Sequence, residues 1–314
     1  MDSQFEVSII IPFLNEEDGI LELISKIEEY YQIREFNFEI IFIDDGSTDS
    51  TRLKLKNNNF LFPCKLISLS KNFGPHSAVR AGIVHSKSKF ITCLPADLQV
   101  SFDALAKMYF KIVENNDIVF AIREENDNSF IENFFSRLHA YLMRKYVAKD
   151  FPLSGLETFM INEKVQKILN ENIESNSSLH LQIFTLGFNK KLINIAKKTR
   201  KNGKSKWTTS KKIKLLIDSF VSFSFLPIRM VSLVGIIFFV VGLVWVGYTI
   251  YRKFMYNDLV SGWPALLSIL LIGFGITNIS LGIIAEYLWR TLDYSRKRPV
   301  FIVDEIIDLN IIHG

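Results

Sequence analysis

Short apolar runs alternate with segments of helical spacing through the first half of the chain. Each run is rich in branched and aromatic side chains and is short enough to be a buried strand. The predicted strands are Val7–Ile11 (stopped by Pro12), Phe38–Ile43, Lys65–Leu69, Phe90–Leu94 and Asp117–Ile122. Between them, Asn15–Tyr31 and Ser77–Ser86 have the apolar spacing of helices. This alternation predicts an α/β fold with a mostly parallel sheet and helices on both of its faces.

Polar residues gather where three of the predicted strands end. Asp44-Asp45-Gly46-Ser47 follows the second strand, and further polar clusters follow Leu69 and Leu94. In open parallel sheets, ligands bind beyond the carboxyl ends of the strands. The pattern therefore predicts a binding site at this edge of the sheet.

Two long uncharged runs distinguish the second half of the chain. Met230–Tyr251 and Trp263–Ala285 each have roughly the 20 residues that a helix needs to cross about 30 Å of hydrocarbon. Buried helices of a soluble core are the alternative, but two such runs joined by a short polar loop favour a membrane. We predict two transmembrane helices, at about 230–251 and 264–286.

The basic residues that flank these runs predict their orientation. Residues 190–214 contain eleven Lys and Arg and no Asp or Glu, and an amphipathic stretch, Ile213–Phe225, follows them. A second basic cluster lies beyond the second run, from Arg290 to Arg298, whereas the loop between the runs is only weakly basic. The positive-inside rule then places both flanks and both termini in the cytoplasm, at the inner (plasma) membrane. The predicted segments are a cytoplasmic domain (1–205), a juxtamembrane amphipathic segment (206–228), a transmembrane hairpin (229–290) and a cytoplasmic tail (291–314).

Composition agrees with a soluble domain joined to a small membrane part. Hydrophobic residues make up 48% of the chain, and the mean hydropathy is +0.18, between a soluble enzyme and a polytopic transporter. The net charge of +4 does not favour nucleic acid as a partner. The two cysteines lack metal-ligand spacing, and the polar residues Met1–Glu6 predict that no signal peptide opens the chain.

The sequence Asp44-Asp45-Gly46-Ser47 has the chemistry of a nucleotide site. Carboxylates after a buried strand can accept hydrogen bonds from ribose hydroxyls or a base edge, and glycine permits a tight turn. A plain strand–turn–helix connection explains this segment equally well when it is taken alone. Together with Ile10-Ile11-Pro12-Phe13-Leu14-Asn15-Glu16-Glu17 upstream, it resembles the start of the family 2 glycosyltransferases, which have the GT-A fold.

The resemblance continues over nearly the whole chain. Ser70–Ala78, with Ala81-Gly82, is similar to the family's R-N-x-G segment, and Pro95–Gln99 stands at its D-A-D-L-Q metal motif. Thr199–Trp207 is similar to the R-x-x-G-x-S-K-W segment that precedes the membrane helices. With two C-terminal spans, the layout resembles the polyprenyl-phosphate glycosyltransferases, bacterial relatives of dolichyl-phosphate mannose synthase.

This resemblance implies roles for individual residues. The implied metal ligands are Asp97 and Gln99, for Mg²⁺ or Mn²⁺, and the implied catalytic residues are Asp97 and Glu157. The implied donor-binding residues are Pro12, Asn15, Glu16, Asp44, Asp45, Asn72 and Gly74. The implied phosphate- and acceptor-binding residues are Arg123, Arg137, Arg200 and Lys206. The wider basic block is open to three interpretations: an anionic-lipid surface, a clamp for the lipid phosphate, or a topogenic signal only.

Two positions depart from the family pattern. Pro95 replaces the first Asp of D-x-D, which leaves Asp97 as the only carboxylate of that triplet and predicts weaker metal affinity. In Ser154–Ile161, where the family has G-D-F-R-L-M, Glu157 stands at the Asp position and Phe159 at the Arg position. The carboxylate is kept, one methylene longer, and a phosphate contact from that arginine is lost.

The implied function is metal-dependent inverting transfer of a sugar from a nucleotide-sugar, with uridine as the family-level base, to a polyisoprenyl (undecaprenyl) phosphate. The product would serve cell-envelope glycan modification at an anionic bilayer, and a homo-oligomer is compatible with this function. A transferase with another lipid or glycan acceptor is one alternative. A non-catalytic homologue that binds nucleotide-sugar is another, suggested by Pro95.

Overall fold

The chain forms two compact units in the computed structural model. The first contains residues 1–215 and 299–314, and the second contains residues 216–298. The residues that the structure describes are 5–33, 35–97, 100–123, 140–141, 143–145, 148–172, 178–195, thirteen positions between 233 and 255, 262–295 and 299–310. The C-terminal residues 299–314 therefore belong to the same unit as the N-terminal domain.

An eight-stranded sheet organises the first unit. Its strands are β1 (Val7–Phe13), β2 (Phe38–Asp44), β3 (Cys64–Leu69), β4 (Phe90–Cys93), β5 (Ile118–Arg123), β6 (Leu156–Asn162), β7 (Lys190–Ile195) and β8 (Val303–Asp308). Their order across the sheet is β7-β5-β6-β4-β1-β2-β3-β8. The pairs β1–β2, β1–β4, β2–β3 and β5–β7 are parallel, whereas β6 and β8 run antiparallel to their neighbours. The predicted α/β architecture with a mostly parallel sheet is confirmed.

The strand β1 extends further than the sequence predicts. Pro12 does not stop it, because the strand continues to Phe13. The pairing with β4 ends at Ile10, whose carbonyl accepts the Leu94 amide. Since alternate residues of a strand face the same neighbour, the missing amide of Pro12 faces the side where β4 has already ended. The proline therefore removes no hydrogen bond from the sheet.

Helices cover both faces of the sheet, as the alternation predicts. They are α1 (Ile20–Ile33), α2 (Thr51–Lys56), α3 (Pro75–His85), α4 (Phe102–Val113), α5 (Glu163–Glu171) and α6 (Leu179–Thr185). The helix α1 begins five residues later than predicted, because residues 15–19 form a turn in which the Gly19 and Ile20 amides donate to the Glu16 carbonyl. The helix α3 lies close against β1, since a Cβ on Gly82 would come within 2.5 Å of the Ile10 side chain.

The second unit contains a long apolar helix, α7 (Trp263–Ser295). Among the described residues it is the one helix, through Ile272–Trp289, that is long and apolar enough to cross a membrane. Large apolar side chains such as Phe274 and Ile279 are exposed along it. Every described position between 233 and 255 is also helical, but most of the first predicted span and all of 206–228 lie outside the described residues. The predicted two-helix hairpin therefore stays a prediction.

Candidate active site

The loops of the candidate site meet at one edge of the sheet. The register pairs Phe13 with Asp44 and Asp44 with Ser68, so β1, β2 and β3 end at the same level. The strand β6 runs antiparallel to β4, and its first residues therefore lie beside the end of β4. The sequence predicts the site at this edge, and the structure brings five of the predicted segments to it. They are the turns after β1, β2, β3 and β4 and the start of β6.

The loops that follow β1 and β2 are joined by hydrogen bonds. The Asn15 amide donates to Ser47 Oγ (3.0 Å), and the Thr48 amide donates to Asn15 Oδ1 (2.8 Å). Asn15 has a positive φ of 52°, which a short polar side chain tolerates. The Glu16 amide donates to Thr51 Oγ1 at 3.0 Å. Asn15 and Glu16 therefore help to join the two turns at this edge.

Asp44 is fully buried, and both of its carboxylate oxygens accept hydrogen bonds from the protein. Oδ1 accepts the Ser47 amide at 2.8 Å, and Oδ2 accepts Arg52 Nε at 2.7 Å. Arg52 lies on α2, eight residues along the chain, and its side chain is 28% exposed. The sequence motifs do not single out this arginine, although a basic residue in the first turns of the helix after an Asp-Asp turn is a signal that points to it. Asp44 thus fixes the turn that it begins.

Asp45 holds the loop that follows β3 in place. Asp45 is 4% exposed, and its two carboxylate oxygens accept the backbone amides of Phe73 (2.8 Å) and Gly74 (3.0 Å). Burial raises the pKa of the Asp45 carboxyl above its ordinary value, although the two amide hydrogen bonds oppose that rise. The segment Ser70–Gly74, which we call the donor loop because the resemblance implies that it binds the sugar donor, is therefore tied to the end of β2.

Gly46 permits the close approach of these two loops. It has φ +75°, and a Cβ there would lie 2.6 Å from the Lys71 carbonyl carbon and 2.7 Å from the Asn72 nitrogen. Both of those neighbours are backbone atoms, so no side-chain rotation could relieve the contact. The Asn72 side chain is exposed at this point and accepts the Gly74 amide at 3.0 Å.

Two carboxylates lie at the same edge, on the far side of β1. Asp97 is half-buried in the turn after β4, and Glu157 is half-buried near the start of β6. The Thr158 hydroxyl donates to the Cys93 carbonyl, which joins the start of β6 to the end of β4. The two predicted catalytic residues therefore lie on adjacent segments, although they are sixty positions apart in sequence.

The side chains at this edge suit a divalent cation that takes most of its ligands from a bound substrate. Among the described residues, no group of three or more His, Cys, Asp or Glu side chains could hold a metal ion. Asp97 offers one half-buried carboxylate, which suits Mg²⁺ because that ion keeps waters and takes phosphate oxygens as ligands. Gln99, the second predicted ligand, lies outside the described residues.

The predicted arginines are less completely described. Arg123 is the last residue of β5 and pairs with Ile195 of β7, which puts its backbone at the same edge of the sheet. Its side chain, and the residues Arg137, Arg200 and Lys206, lie outside what the structure describes.

A polar cluster that the sequence pattern does not reveal lies between α3 and α6. Arg80 is 3% exposed and donates to Gln182 Oε1 at 2.6 Å. One turn earlier on α3, the His76 ring lies 6.2 Å from the His180 ring. Removal from water lowers the pKa of His76 to about 4, with a further contribution from Arg80, and that of His180 to about 3, with a further contribution from His76. Both imidazoles are therefore neutral at pH 7.

A family model decides the relationship of this chain to known proteins. The model described as "Glycosyl transferase family 2" matches residues 8–179, which include all five segments of the edge. The chain belongs to glycosyl transferase family 2. The resemblance inferred from the motifs is confirmed.

Two relatives of this family 2 chain match it over nearly their whole lengths. The undecaprenyl-phosphate 4-deoxy-4-formamido-L-arabinose transferase of Edwardsiella ictaluri (strain 93-146) is 26% identical over 313 residues, 97% of this chain and 95% of the relative. The bactoprenol glucosyl transferase of Shigella phage SfV is 25% identical over 308 residues, 95% of this chain and 98% of the relative.

A solved structure shares the fold of the family 2 domain. Glucosyl-3-phosphoglycerate synthase from Mycobacterium tuberculosis, in complex with phosphoglyceric acid, superposes with a TM-score of 0.51 at 15% identity. The match covers 70% of this chain and 80% of that one. It supports the GT-A-like architecture that the motifs predict.

Proposed function

We propose that this family 2 glycosyltransferase moves a sugar from a nucleotide-sugar, with UDP as the expected nucleotide, to a polyisoprenyl phosphate such as undecaprenyl phosphate. The product would be a polyprenyl-phosphate-linked sugar for cell-envelope glycan modification. The observation that supports this best is the joint position of the donor loop, Asp97 and Glu157 at one edge of the sheet. The full-length relatives named for undecaprenyl phosphate and bactoprenol support the choice of acceptor.

The donor site would be shaped by the turns that Asp44 and Asp45 hold. Because the oxygens of both carboxylates accept hydrogen bonds from Ser47, Arg52 and the donor loop, they would act on the nucleotide chiefly by positioning these loops. Direct contacts would then come from exposed groups nearby, of which Asn72 is the clearest. This refines the donor-binding role that the resemblance implies.

The reaction would be a single displacement. An oxygen of the lipid phosphate forms a bond to the anomeric carbon while the bond to the nucleoside diphosphate breaks on the opposite face, which inverts the configuration. A divalent cation held at Asp97 would neutralise charge on the departing diphosphate. Because a phosphate acceptor is already anionic near pH 7, Glu157 would mainly orient the acceptor or the sugar rather than remove a proton.

The chain connectivity supports a two-span membrane hairpin. Residues before 216 and after 298 belong to one compact unit, and β8 pairs with β3. Both ends of a membrane segment between them would then lie on the same side of the bilayer, which favours an even number of crossings. With α7 as one span, the helical positions between 233 and 255 are the natural second span. The basic flanks predict that the shared side is cytoplasmic.

The first experiment is transfer of radiolabelled sugar from a panel of nucleotide-sugars to undecaprenyl phosphate, in detergent, with Mg²⁺, Mn²⁺ or EDTA. We expect a glycolipid product with one donor, lost with EDTA and in Asp97→Asn. Glu163→Gln, at an exposed carboxylate that begins α5 at the opposite edge of the sheet, is the matched control and should keep activity.

Two other outcomes would decide against parts of the proposal. Absence of product from every donor, with nucleotide-sugar binding intact, would favour a different acceptor or the non-catalytic homologue suggested by Pro95. Full activity in EDTA would remove the metal from the mechanism and leave the acceptor assignment standing.

A further inference from the structure

The C-terminal strand β8 completes the catalytic sheet. It pairs antiparallel with β3, from Lys65 opposite Asp308 to Leu69 opposite Val303, and the register shifts at Ser68/Leu69. Without it, β3 would be an edge strand with unpaired backbone groups. The residues Val303–Asp308, which follow the proposed membrane segment, thus form part of the domain that precedes it.

A further backbone hydrogen bond and side-chain contacts also hold β8 against the sheet. The Leu309 amide donates to the Cys64 carbonyl at 3.2 Å, and the Leu309 side chain is 5% exposed in the core. Lys56 Nζ on α2 lies 2.6 Å from Glu305 Oε2. The strand is therefore an integral part of the sheet.

The segment just before β8 reaches the donor loop. The Ser70 amide donates to the Ile302 carbonyl at 3.0 Å, and Ser70 is the first residue of that loop. At its other end, the loop donates the Phe73 and Gly74 amides to Asp45. The loop is thus held at one end by β2 and at the other by the tail.

We propose that β8 and Ile302 are positioning elements for the donor loop, so that the tail beyond the membrane hairpin sets the affinity for the nucleotide-sugar. This inference rests on the proposed function, since it takes Ser70–Gly74 as the donor loop. The chain passes from α7 to β8 through residues 296–302 alone. Loss of the strand pairing would therefore leave the hairpin and the other site loops in place and change the donor loop selectively.

The alternation of an antiparallel ladder supplies a matched pair of variants. Since the Leu309 amide points at β3, the Ile307 amide two residues earlier also points at β3, and the Ile306 amide points away. Ile307→Pro therefore removes a ladder hydrogen bond, whereas Ile306→Pro places the ring at the open edge, where proline is tolerated. Ile307→Ala controls for the loss of the side chain.

The test uses the full-length protein in detergent with two readouts. Hydrogen exchange of the donor-loop amides should be faster in Ile307→Pro than in Ile306→Pro or Ile307→Ala. The donor KM should rise about five- to tenfold in Ile307→Pro, the effect of about one lost hydrogen bond, with the acceptor KM unchanged. If Ile307→Pro does not fold, Ser70→Pro removes the tether from the loop side and should raise the donor KM in the same way.

The outcomes separate this inference from the proposed function. Equal exchange at the donor loop in the two proline variants would overturn it, as would parallel changes in both KM values and kcat, which indicate general damage to the fold. If the wild-type protein makes no glycolipid from any donor, the proposed function fails. Hydrogen exchange of the donor-loop amides, together with the affinity for UDP, then still decides whether β8 positions the loop.

Discussion

Replacing Gly46 by alanine tests whether the two loops that define the proposed donor site are in contact. The added Cβ would lie 2.6 to 2.9 Å from three backbone atoms of Lys71 and Asn72. Because backbone atoms cannot rotate away, the donor loop must move away from the end of β2. That movement would lengthen the hydrogen bonds from the Phe73 and Gly74 amides to Asp45.

The expected cost has two parts. A non-glycine residue at φ +75° is strained by about 1–2 kcal/mol. Each hydrogen bond to a charged group contributes about 1.5–3 kcal/mol, so weakening two of them adds about 3 kcal/mol. Gly187→Ala is the matched control, because it has φ +78° and nothing within 4 Å of its Cβ, and it lies at the opposite edge of the sheet, before β7. Gly187→Ala should therefore show only the cost of the strained φ angle.

The assay compares the thermal unfolding midpoint and the nucleotide-sugar KM of the two variants in detergent. Gly46→Ala should unfold roughly 6–12 °C below Gly187→Ala, at about 2–4 °C per kcal/mol for a domain of this size. Its donor KM should rise about tenfold, whereas Gly187→Ala should keep the wild-type KM. Equal midpoints and equal KM values in the two variants would refute the contact between the loops and the role given to Asp45.

Further tests address Arg52, Asp97 and the two buried histidines. Arg52→Met should lower the free energy of unfolding by about 2–4 kcal/mol, because it leaves the buried Asp44 carboxylate uncompensated, and Arg52→Lys should lose less; denaturant titration measures both. Removal of the divalent cation with EDTA and the substitution Asp97→Asn should each reduce kcat by roughly 100-fold. Unchanged kcat in EDTA would remove the metal from the mechanism, and unchanged kcat in Asp97→Asn would exclude Asp97 from catalysis. Because the pKa values of His76 and His180 are lowered to about 4 and about 3, the unfolded chain binds protons below pH 6.5 that the native protein does not. The unfolding midpoint should therefore fall as the pH is lowered from about 6.5 to about 4, and replacing both rings by glutamine should reduce this slope.

The sequence by itself determined the architecture and the location of the site. Runs such as Phe38–Ile43 can be recognised because a strand buried on both faces needs consecutive apolar residues. Each polar cluster follows its strand directly in the chain, and parallel strands put those clusters at a common edge. The segments around Asp45, Asn72 and Asp97 could therefore be assigned to one site before any distance was known.

The roles of individual residues depended on contacts between distant parts of the chain. Nothing in the local sequence indicates that Asp45 accepts amides from Phe73 and Gly74. Glu157 reaches the segment of Asp97 only because β6 runs antiparallel beside β4.

The pairing of β8 with β3 is the largest feature that only the tertiary structure decided. Val303–Asp308 is a short strand whose exposed and half-buried residues alternate, and it follows two apolar runs that dominate the sequence pattern. Its partner β3 lies more than two hundred residues earlier in the chain. Strand pairing depends on backbone groups that all residues share, so the sequence contains little information about which edge a strand will join. The fold supplies that information, because β3 is the position at which unpaired backbone groups would otherwise remain.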